Sequence, residues 1–456
     1  MNKKHRELIA WMLKILNVVL MAMPLYYINV FFYRPADVAE AVREQTGMLI
    51  LFCILYLVYG HVYEGFEVSI GKITEMVSSQ FLAILISDGL IYIVIALLKR
   101  SIPAVMPMII CVVLQTYLAT VWAFISTRFY FAYFEPHKTL VVHDQKRKVE
   151  ELISDYGFER KFDVQAVASA AYFLKHQKDE FADIDTVFLS GVSSQTKNDI
   201  IKYCAINNIT VYLIPYIGDV IVSGGDAVHM FHLPVLRMGQ FHFSPMYYVA
   251  KRAFDILASA SMLILVSPIL LVTAIAIKAT DGGPVFYKQV RLTRGGKEFK
   301  ILKFRSMRVD AEKDGVARLS TGENDDRITP VGHVIRKFRI DELPQLFNIL
   351  GGSMTVVGPR PERPEIATDY KKTIPEFDLR LQVKAGLTGY AQVYGKYNTT
   401  PYDKLQMDLM YISSCNFFED LRIIFATIKI LFEPESTEGV AVGQTTAMGE
   451  DEGEES

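Results

Sequence analysis

The chain alternates long apolar blocks with mixed stretches. Four blocks, Ile15–Phe32, Gly47–Tyr63, Ser78–Leu98 and Ile102–Thr127, fall within the first 134 residues. Each approaches the roughly 20 residues that a helix needs to cross a bilayer. The first is too long, and too free of a small-residue cleavage site, for a removable signal peptide. Asp88 in the third block is either a partnered polar residue or a site residue. From 139 to 217 the pattern changes. TLVVH, DTVFLSG and TVYLIPY predict short buried strands, with helical KRKVEELISDY and SSQTKNDIIKYCAINN between them. Strands alternating with helices predict a parallel α/β module. A fifth apolar block, Phe254 to Ile277, would make a helix of roughly 36 Å, long enough to span. Ser267-Pro268 falls at its middle, where proline removes a backbone hydrogen bond and predicts a kink. Near the end, LRIIFATIKILF (421–432) keeps Arg422 and Lys429 one heptad apart. That pattern suits either a helix lying in the membrane interface or a buried core helix.

Composition agrees with a membrane protein of two or three domains: 51% of the 456 residues are hydrophobic. The net charge of −2 conceals an asymmetry. The tail after Phe432 holds eight acids and no bases, which leaves about +6 on the remainder. MNKKHRE carries three fixed positive charges, which predicts a cytoplasmic N-terminus. Four crossings return the chain to that side, where HDQKRK follows, although Lys99 and Arg100 then lie outside. Four cysteines, at 53, 111, 204 and 415, lack paired or metal-type spacing, which excludes a disulfide framework and a cysteine zinc site. His229 and His232 in HMFH lack companion ligands and are not read as a metal site. HDQKRK also lacks the glycines that admit a dinucleotide pyrophosphate, so the middle module is expected not to bind one. The expected organisation is a four-helix transmembrane region at 1–134, a Rossmann-like module at 135–240, a catalytic region at 247–432, and an acidic disordered tail at 433–456.

The chemistry concentrates between Arg336 and Pro361, in RKFRIDELPQLFNILGGSMTVVGPRP. Adjacent carboxylates, Asp341 and Glu342, follow Arg336, Lys337 and Arg339. One acid could attack phosphorus while its neighbour holds a cation, with bases gathering an anionic substrate. The dipeptide also occurs at Asp179 and Asp451, so the surroundings carry the reading. Upstream, Lys288 to Arg308 contains eight Lys or Arg and one acid. Such a run suits anionic lipid or a phosphorylated substrate; nucleic acid is excluded as a partner because a membrane segment directly precedes it. Lys303, Arg305, Gln289 and Arg291 are candidates for phosphates or a lipid headgroup, with surface ion pairing as the alternative. Asp341 is also a candidate to open the helix that continues through Pro344, whose N-terminus would favour phosphate.

Five motifs occur in order: KRAFDI…SPI, GGPVFYKQVRLTRGGKEFKILKFRSM, RKFRIDELPQLFNIL, GGSMTVVGPRPE and KAGLTGYAQV. Across Tyr247 to Phe432 the chain resembles the bacterial sugar transferases, monotopic polyprenyl-phosphate sugar-1-phosphate transferases of the undecaprenyl-phosphate glucose or galactose phosphotransferase type. The N-terminal spans and the middle module resemble the long form of that family. The resemblance implies an α/β membrane protein with four transmembrane helices, a Rossmann-like module, and a mixed α/β catalytic domain anchored by a re-entrant helix at 252–279, broken at Ser267 and Pro268. It implies Asp341 as nucleophile on a UDP-sugar, Glu342 as ligand of Mg²⁺, and Pro359-Arg360-Pro361 as the nucleotide holder. Undecaprenyl phosphate would accept the sugar phosphate and UMP would leave, as the first membrane step of exopolysaccharide, capsule or O-antigen synthesis. UDP-sugars are cytosolic, so the catalytic domain is expected on the cytoplasmic face of the inner membrane. The N-terminal region is a candidate homodimer contact. Two other readings stay open: a transporter of a lipid-linked sugar, and a membrane-anchored regulator or scaffold with an inactive catalytic domain. The sugar is not readable.

Overall fold

The computed structural model describes residues 3–33, 38–69, 72–144, 149–177, 180–239, 241, 244–309, 311, 327–395 and 399–430. The acidic tail and most of the HDQKRK turn lie outside these. The chain divides into two compact units, Met1–Ile214 and Pro215–Ser456.

The first unit begins with four helices, α1 (Lys3–Phe32), α2 (Val38–Val62), α3 (Ile73–Lys99) and α4 (Met106–Tyr133). Each packs on its chain neighbour and α1 closes on α4. With α9, described below, the described residues hold five helices long and apolar enough to cross a membrane. Large apolar side chains such as Trp11, Phe31, Leu97 and Val113 point outward, more than half exposed. Polar ties sit between the helices. The Tyr56 hydroxyl donates to Asn17 (2.8 Å), Asn17 donates to Gln80 (3.3 Å), and Gln115 donates to the Met21 carbonyl (2.9 Å). In an apolar surrounding such bonds fix the mutual rotation of helices that hydrophobicity alone leaves free. Asp88 is buried and faces Gln115 and Cys111 of α4.

An α/β module follows: β1 (His137–His143), α5 (Val149–Asp155), β2 (Phe162–Ala168), α6 (Ala170–His176), β3 (Thr186–Ser190), α7 (Ser194–Ile206) and β4 (Thr210–Leu213). The four strands form a parallel sheet in the order β2-β1-β3-β4. Leu140, Val142, Val187 and Leu189 fill its core beside Phe173 and Ile200. Strand β2 was not foreseen from the sequence. FDVQAVA alternates buried and exposed positions, a weaker signal than the continuous apolar runs of β1 and β3.

The expected module boundary at 240 differs from what is seen. Residues from Pro215 onward belong to the second unit. Helix α8 (Ile217–Ser223) buries Ile217 and Val220 against Leu405 and Leu409 of α14 (Pro401–Ser413), because its short apolar face finds its partners there. The Gln406 side chain donates to the Pro215 carbonyl. Strands β5 (Asp226–Met230) and β6 (Leu233–Arg237) form a hairpin turned by Phe231 and His232, both in the left-handed region (φ +55° and +61°). The described residues contain no group of three or more metal-ligating side chains around His229 and His232 or elsewhere.

Helix α9 (Pro245–Asp281) runs for 37 residues with Pro268 inside it, so helix is retained through Ser267 and Pro268. One face packs on the rest of the second unit. Arg252 donates to the carbonyls of Ile349 and Leu350 (2.6 and 2.8 Å), capping the end of α11 (Gln345–Leu350). Asp255, buried, accepts from the Thr355 hydroxyl (2.8 Å) and the Val356 N–H (2.9 Å). Val266 and Leu270 pack on Ile301, Leu346 and Ile349, and Ile277 on Phe304 and Ile335. At the C-terminal end Asp281 pairs with Arg305. The opposite face, with Leu257, Ile264, Leu265, Leu271 and Val272, is apolar and exposed.

Two small sheets complete the unit. Antiparallel β7 (Phe286–Leu292) and β8 (Glu298–Phe304) carry the basic run, and parallel β9 (Thr355–Val357) and β10 (Gly386–Thr388) hold the Gly358 turn. A Cβ on Gly386 would collide with the Gly358 backbone, so this crossing requires glycine. Helix α15 (Phe417–Ile430) buries Ile423 in the same core as Leu405 and Tyr411, and Thr427 meets Thr388 of β10. One face of this segment is thus seated in the core. Replacing Asp255 with Ala orphans a buried hydroxyl and a backbone N–H and is expected to cost about 2–3 kcal/mol. Thermal unfolding in detergent should show the drop, with Asp255→Asn intermediate.

Candidate active site

Helix α10 (Pro330–Lys337) starts on Thr329, whose hydroxyl accepts the Gly332 N–H (2.9 Å), with Pro330 pre-set for the first turn. The chain then reverses at Arg339, which adopts the left-handed conformation (φ +52°). A single 3-10 turn follows, Ile340–Glu342. In that geometry residues three apart share a face. Ile340 accordingly packs towards Phe304, Ile335 and Ile277, and Leu343 towards Ile301, Leu346 and Ile349. Asp341 and Glu342, between these anchors, are left for the opposite side. The expected helix N-terminus at Asp341 is not formed. Helix α11 begins only at Gln345 and has six residues, so the acids do not sit at its N-terminus.

Those side chains converge on Glu342. Lys303, near the end of β8, donates to Glu342 Oε1 at 2.9 Å, and Arg360 donates to the same oxygen at 3.1 Å. The glutamate side chain is 14% exposed and Lys303 20%, whereas Arg360 is 46% exposed and reaches outward. No hydrogen bond from a described residue restrains the Asp341 carboxylate.

The two acids are electrostatically unequal. Burial, and then the adjacent Glu342 charge, raise Asp341 above the usual carboxylate range, against the pull of Lys303, Arg336 and Arg360. Burial also pushes Glu342 upward, but Lys303 and Arg360 outweigh it and hold this group well below that range. Neighbouring carboxylates whose environments drive them apart can take separate roles. Glu342 is held anionic, and Asp341 is the more basic and less restrained of the two carboxylates.

The other sequence candidates divide. Pro359, Arg360 and Pro361 meet the acids through Arg360. Gln289 and Arg291 pair with each other (2.7 Å), and Arg291 donates to the Pro361 carbonyl (3.1 Å), so they buttress the Pro-Arg-Pro turn from behind. Arg305 is 7% exposed and is occupied by Asp281 and by the Pro284 carbonyl (2.7 Å). It ties the end of α9 to β8, and the ion-pairing alternative holds for it. Ser267 and Pro268 lie on α9 within the membrane-type segment. Four residues with defined partners had no place in the sequence reading: Asp255, Asp281, Arg380 and Asp408. Asp255 lies just inside one end of the apolar block and Asp281 just past the other, where an acid beside hydrophobic sequence was the available signal. Arg380 and Asp408 sit in ordinary amphipathic surroundings that gave none.

A family model described as bacterial sugar transferase matches residues 246–434. The chain is 39% identical to a UDP-N-acetylgalactosamine-undecaprenyl-phosphate N-acetylgalactosaminephosphotransferase of Aeromonas hydrophila, over 50% of this chain and 53% of that protein. It is 37% identical to a UDP-glucose:undecaprenyl-phosphate glucose-1-phosphate transferase of Escherichia coli, over 48% of each. It thus spans about half the length of these curated relatives. An exopolysaccharide production protein, PSS, of Rhizobium leguminosarum is 41% identical and is covered over 94% of its length, by 40% of this chain. With its long apolar helices and this match, the chain is a membrane protein that belongs to the bacterial sugar transferase family.

Proposed function

We propose that this protein is a UDP-sugar:undecaprenyl-phosphate sugar-1-phosphate transferase of the inner membrane, working through an aspartyl phosphosugar, at the first membrane step of exopolysaccharide, capsule or O-antigen synthesis. The observation that carries it is the meeting of Asp341 and Glu342 with Lys303 and Arg360 in one largely buried site. The family match and the undecaprenyl-phosphate substrates in the relatives' names support the same reading.

An Asp341 oxygen attacks the phosphorus that bears the sugar. As that bond forms, the bond to the UMP oxygen breaks and UMP leaves with the electron pair. An oxygen of undecaprenyl phosphate then attacks the same phosphorus. The aspartyl bond breaks, the carboxylate is regenerated, and the sugar diphosphate stays on the lipid. Arg360 presents a planar fork to the nucleotide phosphates, and Lys303 adds positive charge where negative charge develops. The donor set fits Mg²⁺, which takes oxygen ligands, often one or two carboxylates completed by substrate phosphates. Glu342 would hold it, with no protein cage among the described residues to compete. Bound there, it would neutralise charge on the diphosphate.

A re-entrant α9 goes with this activity, since the nucleotide sugar is cytosolic. Two anchors support it. Arg252 near one end and Asp281 at the other are both tied to the second unit, through the end of α11 and through Arg305. Between Gly282 and Ile430 the described residues offer no further helix long and apolar enough to cross. A straight crossing would have to break one anchor.

Membranes given undecaprenyl phosphate, Mg²⁺ and a panel of radiolabelled UDP-sugars are expected to label lipid with one of them. Asp341→Asn should lower the rate at least about 10³-fold, as loss of a covalent nucleophile does. Without lipid acceptor, label from a donor phosphorylated at the sugar-bearing position should stay on the wild-type protein and be released by hydroxylamine. Full transfer by Asp341→Asn would end the covalent reading. Chelation with EDTA should stop transfer and added Mg²⁺ restore it. For topology, a Lys297→Cys variant lacking the four native cysteines should resist impermeant maleimide in intact cells. Labelling from outside would exclude re-entry.

A further inference from the structure

Arg360 is aimed by its backbone, and that backbone is held at every carbonyl. Pro359 O accepts the Gly386 N–H (2.9 Å), Arg360 O accepts Arg380 Nη2 (3.0 Å), Pro361 O accepts Arg291 Nη1 (3.1 Å), and Glu362 O accepts the Leu292 N–H (2.9 Å). The flanking prolines fix their own φ angles, and a residue that precedes proline is restricted to extended conformations. What remains free at Arg360 is the orientation of the two peptide planes that meet at its Cα. Gly386 pins the plane before it and Arg380 the plane after it. Together they set φ and ψ, and so the direction in which Cβ and the guanidinium leave.

Arg380 is an expensive choice for this task unless something holds it. Its side chain is 7% exposed, its guanidinium stands 5.0 Å from the centre of the Phe377 ring, and Asp408 lies 2.7 Å from its Nη2. Asp408, on α14, is 1% exposed. A buried ion pair seldom adds net stability over apolar residues of the same volume, because desolvation consumes the Coulombic gain. Its geometric product is clearer: it fixes the guanidinium that donates to the Arg360 carbonyl.

We infer that Arg380, held by Asp408, is a positioning residue for transfer, keeping Arg360 on Glu342 and on the diphosphate of the donor. The inference rests on the proposed transferase reading. Neither side chain touches the two acids; both act through Arg360.

The test is a double-mutant cycle on purified full-length protein in lipid nanodiscs, scored by initial rate of transfer to undecaprenyl phosphate. Arg380→Met and Asp408→Asn are each expected to lower kcat/KM about 10–100-fold, the range usual for residues that orient a site from behind. In an Arg360→Ala background the same changes should cost less than about twofold, since there is no guanidinium left to aim. The same cycle on the dissociation constant for UDP covers the case in which Arg360→Ala transfers too slowly to score. Arg380→Lys keeps a positive charge beside Asp408 and guards against misfolding, and it should show the same loss and the same dependence on Arg360. Equal losses in both backgrounds would mean that the pair merely supports the fold, and an unchanged rate in Arg380→Met would remove its role. A wild-type protein that transfers no sugar defeats the transferase reading itself, whereas an active wild type with an additive cycle defeats only the positioning role.

Discussion

Two carboxylates on consecutive residues repel each other, and partial burial sharpens the repulsion by removing the water that would screen it. The second unit is arranged around that constraint. Lys303 arrives from a strand and Arg360 from a proline-stiffened turn, and both settle on the same oxygen of Glu342. This asymmetry leaves Asp341 less compensated and therefore more basic than its neighbour. Had the two cations been shared evenly, the acids would be near equivalents. The unequal division leaves one carboxylate held anionic and one more basic within a single dipeptide.

The division holds only if three segments distant in sequence are kept in register. The 3-10 turn supplies the acids and is fixed by burying Ile340 and Leu343 in two neighbouring cores. Helix α9 contributes to both cores, so a long apolar helix also serves as the floor of a polar site. Its polar ends, Arg252, Asp255 and Asp281, are bonded to the end of α11, to β9 and to Arg305. Seating the helix and shaping the site are thus coupled: a shift of α9 along its axis would disturb the turn that presents the acids.

The Pro-Arg-Pro turn follows a similar logic. Prolines reduce the freedom of the chain at small entropic loss, but they do not choose an orientation. Orientation comes from four donors on three other segments, the backbone amides of Leu292 and Gly386 and the guanidinium groups of Arg291 and Arg380. Gly358 and Gly386 make this feasible, because only residues without Cβ let the β9 and β10 ends approach so closely.

Local sequence determined much of this protein. The apolar blocks gave the four N-terminal helices and α9, since helix length and continuous apolarity are local properties. The runs TLVVH, DTVFLSG and TVYLIPY gave β1, β3 and β4. The neighbours of Asp341 and Glu342 in the chain marked the pair among three identical dipeptides. Only the tertiary structure decided which cations meet those acids. Lys303 and Arg305 look alike in KFR, yet Lys303 lies within β8 and Arg305 just past its end, and one meets Glu342 while the other meets Asp281. It also placed the chain from Pro215 onward in the second unit, seated one face of α15 in the core, and stopped Asp341 short of a helix. Arg380 and Asp408 were invisible beforehand because their partners lie 20 residues or more away, on elements brought together only by packing. Periodicity along the chain reports what each segment buries. Which side chain meets which depends on how the segments cross, and that is a property of the fold.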